Sequence, residues 1–289
     1  MKLLITGASG FIGQYVVQAA VEAGHSVATI GRRAVGDHPF YTYRKDYASV
    51  REAFIDVQPD AVLHLATHFV GVHTPDDLDS LVEANIQFGL YLLEAMKQTG
   101  CTVLINAASA WQYMENTPYT PNGLYAASKC AFDALIASYL QEAGLRATNL
   151  IIYESFGKGD TRAKLIPALL EKIQSGVTNL PLIGPEKGFY VTHASDIANA
   201  FLIAAQDAQA APAGHTHFAL RASTAPLTIV DIIDAMSTAW NVALQPQYGA
   251  FPMRPNEVLH PPDRIPILPN WSPAVSLEEG FRAMWPADC

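Results

Sequence analysis

Apolar residues fall in short blocks along the first half of the chain, and a longer amphipathic stretch follows most of them. Residues 2–6 form an apolar run that ends in Thr6, the pattern of a buried strand. Phe11, Ile12, Val16 and Val17 then fall at helical spacing, which predicts a helix over 11–23 with Gly24 as its stop. Strands are predicted over 25–30 and 40–44, a short helix near 49–57, and a fourth strand over 61–66, AVLHLA. Leu78, Leu81, Val82, Ile86, Leu90, Leu93 and Met96 make one apolar stripe, so a single long helix is expected over about 75–97. A fifth strand follows over 101–106. Strands alternating with helices predict an α/β fold, a doubly wound parallel sheet with helices on both faces.

The texture changes after Gly157, where short segments and prolines multiply, and 252–273 is rich in proline. The expected organisation is a nucleotide-binding unit of 1–153 with about 188–212. A smaller, loop-rich substrate region of about 154–187 and 213–289 would pack over the carboxyl ends of the strands, where open α/β sheets hold ligands. No internal repeat or low-complexity run interrupts this plan.

Composition narrows the classes. The chain has 289 residues, half of them hydrophobic, enough for a large core. A net charge of −9 without a Lys/Arg run argues against a nucleic-acid partner, and an anionic ligand would have to meet local cations. No apolar run reaches membrane-spanning length. The first residues lack the basic flank and cleavage pattern of a signal peptide, so a cytoplasmic location is expected. Cys101, Cys130 and Cys289 have neither CxxC nor metal-ligand spacing. Reduced thiols are expected, and no metal site is assigned. His64 reads as a packed core histidine.

The chemistry starts at the turn after the first strand. Gly7, Gly10 and Gly13 are spaced by three between a strand and a helix start. Such a turn lets the backbone approach a pyrophosphate, and the free N–H groups of the helix point at it. The same spacing also suits a ligand-free turn. The second strand ends in Gly31, Arg32 and Arg33, with no acid there. An acid at that place would hold a ribose 2′-hydroxyl; arginines suit a 2′-phosphate, as in NADP(H), or form a solvated basic turn. Asp46 follows the third strand and is expected near an adenine ring. Asn85 would face the cofactor or make a structural hydrogen bond.

The second informative stretch is 107–129. Ser109 follows the fifth strand, and Tyr125 and Lys129 lie four apart in a predicted helix, hence on one face. A serine with such a pair can bind and protonate a carbonyl oxygen. The lysine ammonium is expected to lower the pKa of the phenol. On its own a Tyr-x-x-x-Lys pair also arises on ordinary amphipathic helices.

Together TGASGFIG at 6–13, Ser109 and YAASK at 125–129 resemble the extended short-chain dehydrogenase/reductases. LHLA at 63–66, GKGD at 157–160, THASDIA at 192–198 and NWSPAVSLEEG at 270–280 extend the resemblance over nearly the whole chain. The resemblance implies a Rossmann-like fold with Ser109, Tyr125 and Lys129 as the catalytic set. It also implies a dinucleotide held by Gly7, Ser9, Gly10, Phe11, Ile12, Gly13, Arg32, Arg33, Asp46, Leu65, Ala66 and Lys129. Dehydratases of the family carry an Asp-Glu pair after the catalytic hydroxyl; here Ala110 and Trp111 stand there. Epimerases usually have an acid after the second strand, which is missing. SAWQY at 109–113, NGLYAASK at 122–129 and GDTRAKL at 159–165 resemble the nucleotide-sugar 4-ketoreductases, such as the CDP-abequose and CDP-paratose synthases and the dTDP-4-keto-6-deoxyhexose reductases. That subgroup implies NADP(H), a nucleotide-diphosphate sugar as substrate, and a homodimer through the helices at about 75–97 and 123–142. Trp111 and Tyr113 are candidates for the sugar or ordinary core aromatics, Glu154 is a candidate for the sugar, and Arg162, Lys187 and Arg254 are candidates for the diphosphate or solvated surface charges. A sugar-nucleotide epimerase and a non-catalytic dinucleotide sensor are the alternatives; the intact catalytic set argues against the sensor.

Overall fold

The computed structural model describes residues 1–117, 120–252 and 258–285. The first half contains β1 (Lys2–Thr6), α1 (Phe11–Glu22), β2 (Ser26–Gly31), β3 (Phe40–Thr42), α2 (Tyr47–Val57), β4 (Ala61–His64), α3 (Leu78–Val82), α4 (Phe88–Thr99), β5 (Val103–Ser109) and α5 (Gly123–Ala143). Then come β6 (Arg146–Ile152), β7 (Glu154–Phe156), α6 (Leu165–Gln174), β8 (Asn179–Pro181), β9 (Gly188–Phe189), β10 (Val191–His193) and α7 (Ala194–Ala210). The last are β11 (Gly214–Leu220), β12 (Leu227–Thr228), α8 (Ile229–Trp240), β13 (Gln245–Gln247) and α9 (Leu277–Met284).

Seven strands form one parallel sheet in the order β11-β6-β5-β4-β1-β2-β3. The apolar run of β1 is explained by burial on both faces. Leu3 and Ile5 enter a core with Val16 and Val17 of α1 and Phe201 of α7. Leu4, between them, enters the opposite core with Phe54 of α2, Leu92 of α4 and Phe132 of α5. The order of strands reverses beside β1, which lies between β2 and β4. At such a switch point the chain leaves the sheet in opposite directions and opens a crevice at the carboxyl ends.

A third core joins Phe156, Ile166, Leu180, Ile232, Trp240 and Phe281. It sits beyond the sheet and gathers β7, α6, β8, α8 and α9. Its last segment is tied back to α7. Asp196 accepts backbone hydrogen bonds from Ala274 (3.0 Å) and Val275 (3.2 Å), and Trp271 Nε1 donates to the Asp196 carbonyl at 2.8 Å.

Two expected boundaries are corrected. Residues 214–220, placed with the substrate region, form the edge strand of the central sheet, paired with β6 along their whole length. Residues 188–189, placed with the nucleotide unit, pair with β12, and Phe189 enters the third core. The single helix expected over 75–97 is also interrupted. A 3-10 turn (Pro75–Asp77) precedes α3, and a π-helical turn (Glu83–Gln87) separates α3 from α4. Among the described residues, no helix is long and apolar enough to cross a membrane.

Candidate active site

The sheet's carboxyl ends open into a cleft of about 740 Å³. The glycine turn forms one wall. Gly7 has φ +68°, and a Cβ there would lie 2.5 Å from the Ala66 nitrogen. Gly13 is tighter still, since a Cβ would meet the Gly7 carbonyl oxygen at 2.1 Å. Both glycines therefore let the turn, α1 and the exit of β4 nest together. Thr6 Oγ1 locks that exit by accepting from Leu65 N (3.1 Å) and Ala66 N (3.0 Å), and it bonds His64 Nδ1 at 2.8 Å. His64 is buried and pushed down to about 3, largely by desolvation, so it packs as a neutral core residue. The N-cap of α1, Gly10, offers no side chain, and the first turn carries no acid. Ser9, Gly10, Phe11 and Ile12 line the cleft with Leu65 and Ala66, so the helix start is available to an anion.

Gly31, Arg32 and Arg33 line the cleft at the end of β2. Both arginines are exposed, and among the described residues neither makes an ion pair. Asp46 stands at the start of α2. It does not line the cleft; it caps α2, accepting from Ser49 N at 2.7 Å. A short acid before a helix start satisfies an otherwise orphaned N–H through one carboxylate oxygen, and the half-exposed side chain keeps the other.

Tyr125 and Lys129 project from one face of α5 into the cleft, opposite Ser109 at the end of β5. The Tyr125 phenol hydrogen-bonds the side chains of Thr67 and Ser109. Burial pushes its pKa up, against the lowering effect of those two bonds and of Arg162. The expected lowering by Lys129 is thus corrected. Lys129 Nζ donates to the Ala107 carbonyl at 3.0 Å, and burial brings its own pKa down to about 8, while Asp133 opposes that shift. A buried phenol held neutral is poised to give a proton rather than to take one. Ser109 is fixed by its backbone N–H, which donates to Gln112 Oε1 at 2.8 Å, and its Oγ accepts from Trp111 N at 3.3 Å.

Asn85 makes structural bonds. From the π-helical turn its Oδ1 accepts from Thr67 Oγ1 (2.9 Å) and His68 N (2.7 Å). Its Nδ2 donates to Ser128 Oγ at 2.9 Å. It therefore ties the loop after β4 to the helix that carries Tyr125.

Beyond Tyr125 an aromatic wall is built from Phe69 and Trp111. Their ring centroids lie 5.0 and 6.4 Å from that of Tyr125. Lys164 Nζ stands 5.1 Å over the Phe69 ring and 3.3 Å from a Glu154 carboxylate oxygen. Arg162 also lines the cleft, but Asp160 grips its fork through Nε (2.7 Å) and a terminal nitrogen (2.6 Å), and its plane covers Phe11 at 4.5 Å. Lys187 lines the cleft above Phe189. Tyr113 takes its core alternative: it is buried and lines a separate cavity behind α5, not the sugar end of the cleft. Arg254 lies outside the described residues.

Sequence reasoning missed Thr67, Phe69 and Lys164. The first two follow the carboxyl end of β4, the position where a sheet of this kind places ligands, and that was the available signal. Lys164 sits at the N-cap of α6, where nothing in its spacing marks it. A group of Asp133, His215 and His217 was missed as well; the alternation in GHTHFAL at 214–220 puts both histidines on one strand face.

The uncapped helix start, the glycine contacts and the length of the cleft fit a dinucleotide reaching from β2 to Tyr125. Comparison with known proteins agrees. A CDP-abequose synthase from Yersinia pseudotuberculosis is 25% identical over 207 residues, covering 70% of this chain and 72% of its own. One from Salmonella muenchen is 22% identical and covers 98% of this chain and 96% of its own. A UDP-glucose 4-epimerase from Streptomyces lividans is 28% identical, covering 70% of this chain and 71% of its own. The solved UDP-glucose 4-epimerase of Thermus thermophilus in complex with NAD shares the fold, with a TM-score of 0.80, 24% identity and coverage of 98% and 97%. The sequence profile of the "NAD dependent epimerase/dehydratase family" matches residues 3–219, a span that holds the glycine turn, Ser109, Tyr125 and Lys129. With the glycine turn and the Ser-Tyr-Lys set in one cleft, and that match over three quarters of its length, the chain belongs to the NAD dependent epimerase/dehydratase family.

Proposed function

We propose that the protein reduces the C4 keto group of a nucleoside-diphosphate-linked 6-deoxy sugar with NADPH, a step of deoxysugar biosynthesis. The observation that carries this reading is one cleft with two arginines directly after β2, where an acid would hold a ribose hydroxyl, and a neutral, buried Tyr125 phenol at its other end. Arg32 and Arg33 would meet a 2′-phosphate. Bound NADPH supplies the hydride that adds to the carbonyl carbon. Ser109 and Tyr125 hold the carbonyl oxygen, and Tyr125 delivers the proton that completes the alcohol. Such proton transfer is worth roughly 10²–10⁴-fold. Lys129 would hold the nicotinamide ribose and, as an ammonium, favour proton release from the phenol.

Phe69 and Trp111 offer an apolar wall to a 6-deoxy sugar, beside Glu154. Lys164, Lys187 and Arg162 carry positive charge along the same cleft, and with Arg254 of the sequence they form the set of cations proposed for the diphosphate. The CDP-abequose synthase relatives support this substrate class. The reading includes a cytoplasmic homodimer through the helices at about 75–97 and 123–142.

The test is NADPH absorbance with CDP- and dTDP-linked 4-keto-6-deoxyhexoses. Stoichiometric NADPH loss that disappears in Tyr125→Phe supports reduction. The UDP-glucose 4-epimerase relatives favour a second reading, epimerisation, and sugar interconversion without net cofactor loss would establish it instead.

A further inference from the structure

A second cavity, of about 440 Å³, lies behind the catalytic helix and shares no lining residue with the cofactor cleft. Gln112, Tyr113, Cys130, Asp133, His217 and Arg264 are among its walls. His215 and His217 are two apart on β11, so both imidazoles project from one face of the strand. Their ring centroids are 4.3 Å apart. Asp133 comes from α5, one turn beyond Lys129. One nitrogen from each histidine and one carboxylate oxygen all lie within 4.8 Å of one another.

A separate observation asks for a ligand here. His215 Nε2 is fully buried and has no hydrogen-bond partner. A buried polar atom left unpaired costs free energy, so something is expected to meet it. The carboxylate is also oriented in the way metal ligands are. Asn149 Nδ2 donates to Asp133 Oδ1 at 2.7 Å, and Gln112 Nε2 donates to Oδ2 at 2.8 Å. Tyr113 adds a third side-chain hydrogen bond to the carboxylate, which still leaves it acceptor capacity for a metal, and outer hydrogen bonds of this kind fix a ligating carboxylate.

We propose that Asp133, His215 and His217 form a binding site for a divalent metal ion of the zinc class, which pins the edge strand of the sheet to the catalytic helix. Two imidazoles select against magnesium and calcium, which take oxygen ligands. Three protein ligands beside a cavity leave the fourth tetrahedral position open. Arg264 at the wall favours an anion such as hydroxide or chloride there. Gln112 links the site to the reaction centre, because the amide that supports Asp133 also accepts from Ser109 N. The proposal holds whichever substrate the cleft takes.

The experiment is a calorimetric titration of the full chain, first stripped with chelator, with Zn²⁺ alone, and a Co²⁺ absorption spectrum in parallel. One equivalent should bind per chain and raise the melting temperature. His215→Ala and His217→Ala should each weaken Zn²⁺ by about 100-fold or more, and Gln112→Ala by about 10–100-fold. His73→Ala, at an exposed loop histidine, should leave binding unchanged. Circular dichroism of the metal-free variants verifies that they fold. If they do not, X-ray absorption of the Zn²⁺-loaded wild-type chain decides: two imidazoles with oxygen support the site. Absence of saturable binding, unaltered affinity in the His215→Ala/His217→Ala double variant, or thiolate coordination in the Co²⁺ spectrum would each overturn it.

Discussion

Replacing Gly13 with alanine tests the glycine turn at its tightest point. The added Cβ would stand 2.1 Å from the Gly7 oxygen, 2.8 Å from the Gly7 carbonyl carbon and 2.9 Å from Ala8 Cα. All three are backbone atoms, so no side chain can swing aside. Ordinary contact begins near 3.4 Å, and the turn must therefore retreat from α1 by more than an ångström. Overpacking of this kind costs about 1–3 kcal/mol, and with backbone on both sides the upper end applies. At about 2 °C per kcal/mol for a chain of this size, the melting temperature should fall by about 6 °C. The displaced turn also withdraws its N–H groups from the pyrophosphate. Losing one or two charge-assisted hydrogen bonds, at about 1.5–3 kcal/mol each, weakens NADPH by about 100-fold. Gly31→Ala is the control, because a Cβ there meets nothing within 4 Å. The assay is thermal melting of both variants, with NADPH binding to Gly13→Ala followed by fluorescence. A Gly13→Ala protein that melts like Gly31→Ala and binds NADPH like the wild type would refute the account of the turn.

Tyr125→Phe should lower kcat by about 10²–10⁴-fold with NADPH affinity unchanged, and a matching loss of cofactor binding would reassign the residue. Arg32→Ala should weaken NADPH by about 10–100-fold and leave NADH alone, as expected for a charged hydrogen bond to the 2′-phosphate; equal effects on both would exclude it. Reduction should slow as pH rises through about 8, where Lys129 loses its proton, while the Tyr125 phenol, pushed up by burial, keeps its own. Stability should move the other way. The unfolded lysine holds its proton to the ordinary 10.5, so between about 8 and that value the unfolded state binds more protons and the Lys129 contribution favours folding as pH rises. A rate that stays flat across about 8 would remove Lys129 from the reaction. Asp196→Ala should cost about 2–4 kcal/mol, because two backbone N–H groups of the segment before α9 lose their acceptor; chemical denaturation reads the loss, and a change below about 0.5 kcal/mol would count against that anchor.

The sheet strands up to β5 were legible because a strand covered on both faces leaves an unbroken apolar run, as Leu3, Leu4 and Ile5 do. β11 was not, since an edge strand that alternates Gly, His and Thr does not look like its neighbours. The Tyr125/Lys129 pair was legible because one helical turn sets its geometry whatever surrounds it. Its electrostatics was not: burial and hydrogen bonds from Thr67 and Ser109 come from two other parts of the chain. The break at Glu83–Gln87 was not legible in the apolar spacing: Leu78 and Val82 of the expected stripe are exposed, and the buried face runs through Leu81, Asn85, Phe88 and Leu92 instead.

The position of β11 has a consequence for the protein's birth. Its residues meet those of β6 across 68 positions of chain, as between Thr148 and Thr216. A ribosome adding about 5–20 residues per second needs roughly 3–14 s to cover that distance. For that interval β6 stands as an unpaired edge, with Leu150 and Ile151 beside open backbone groups. A nascent chain in this state is a template for its neighbours on the same messenger. Yield in a heterologous host should therefore depend on elongation speed and chaperone supply between residues 152 and 220, more than on the stability of the finished fold.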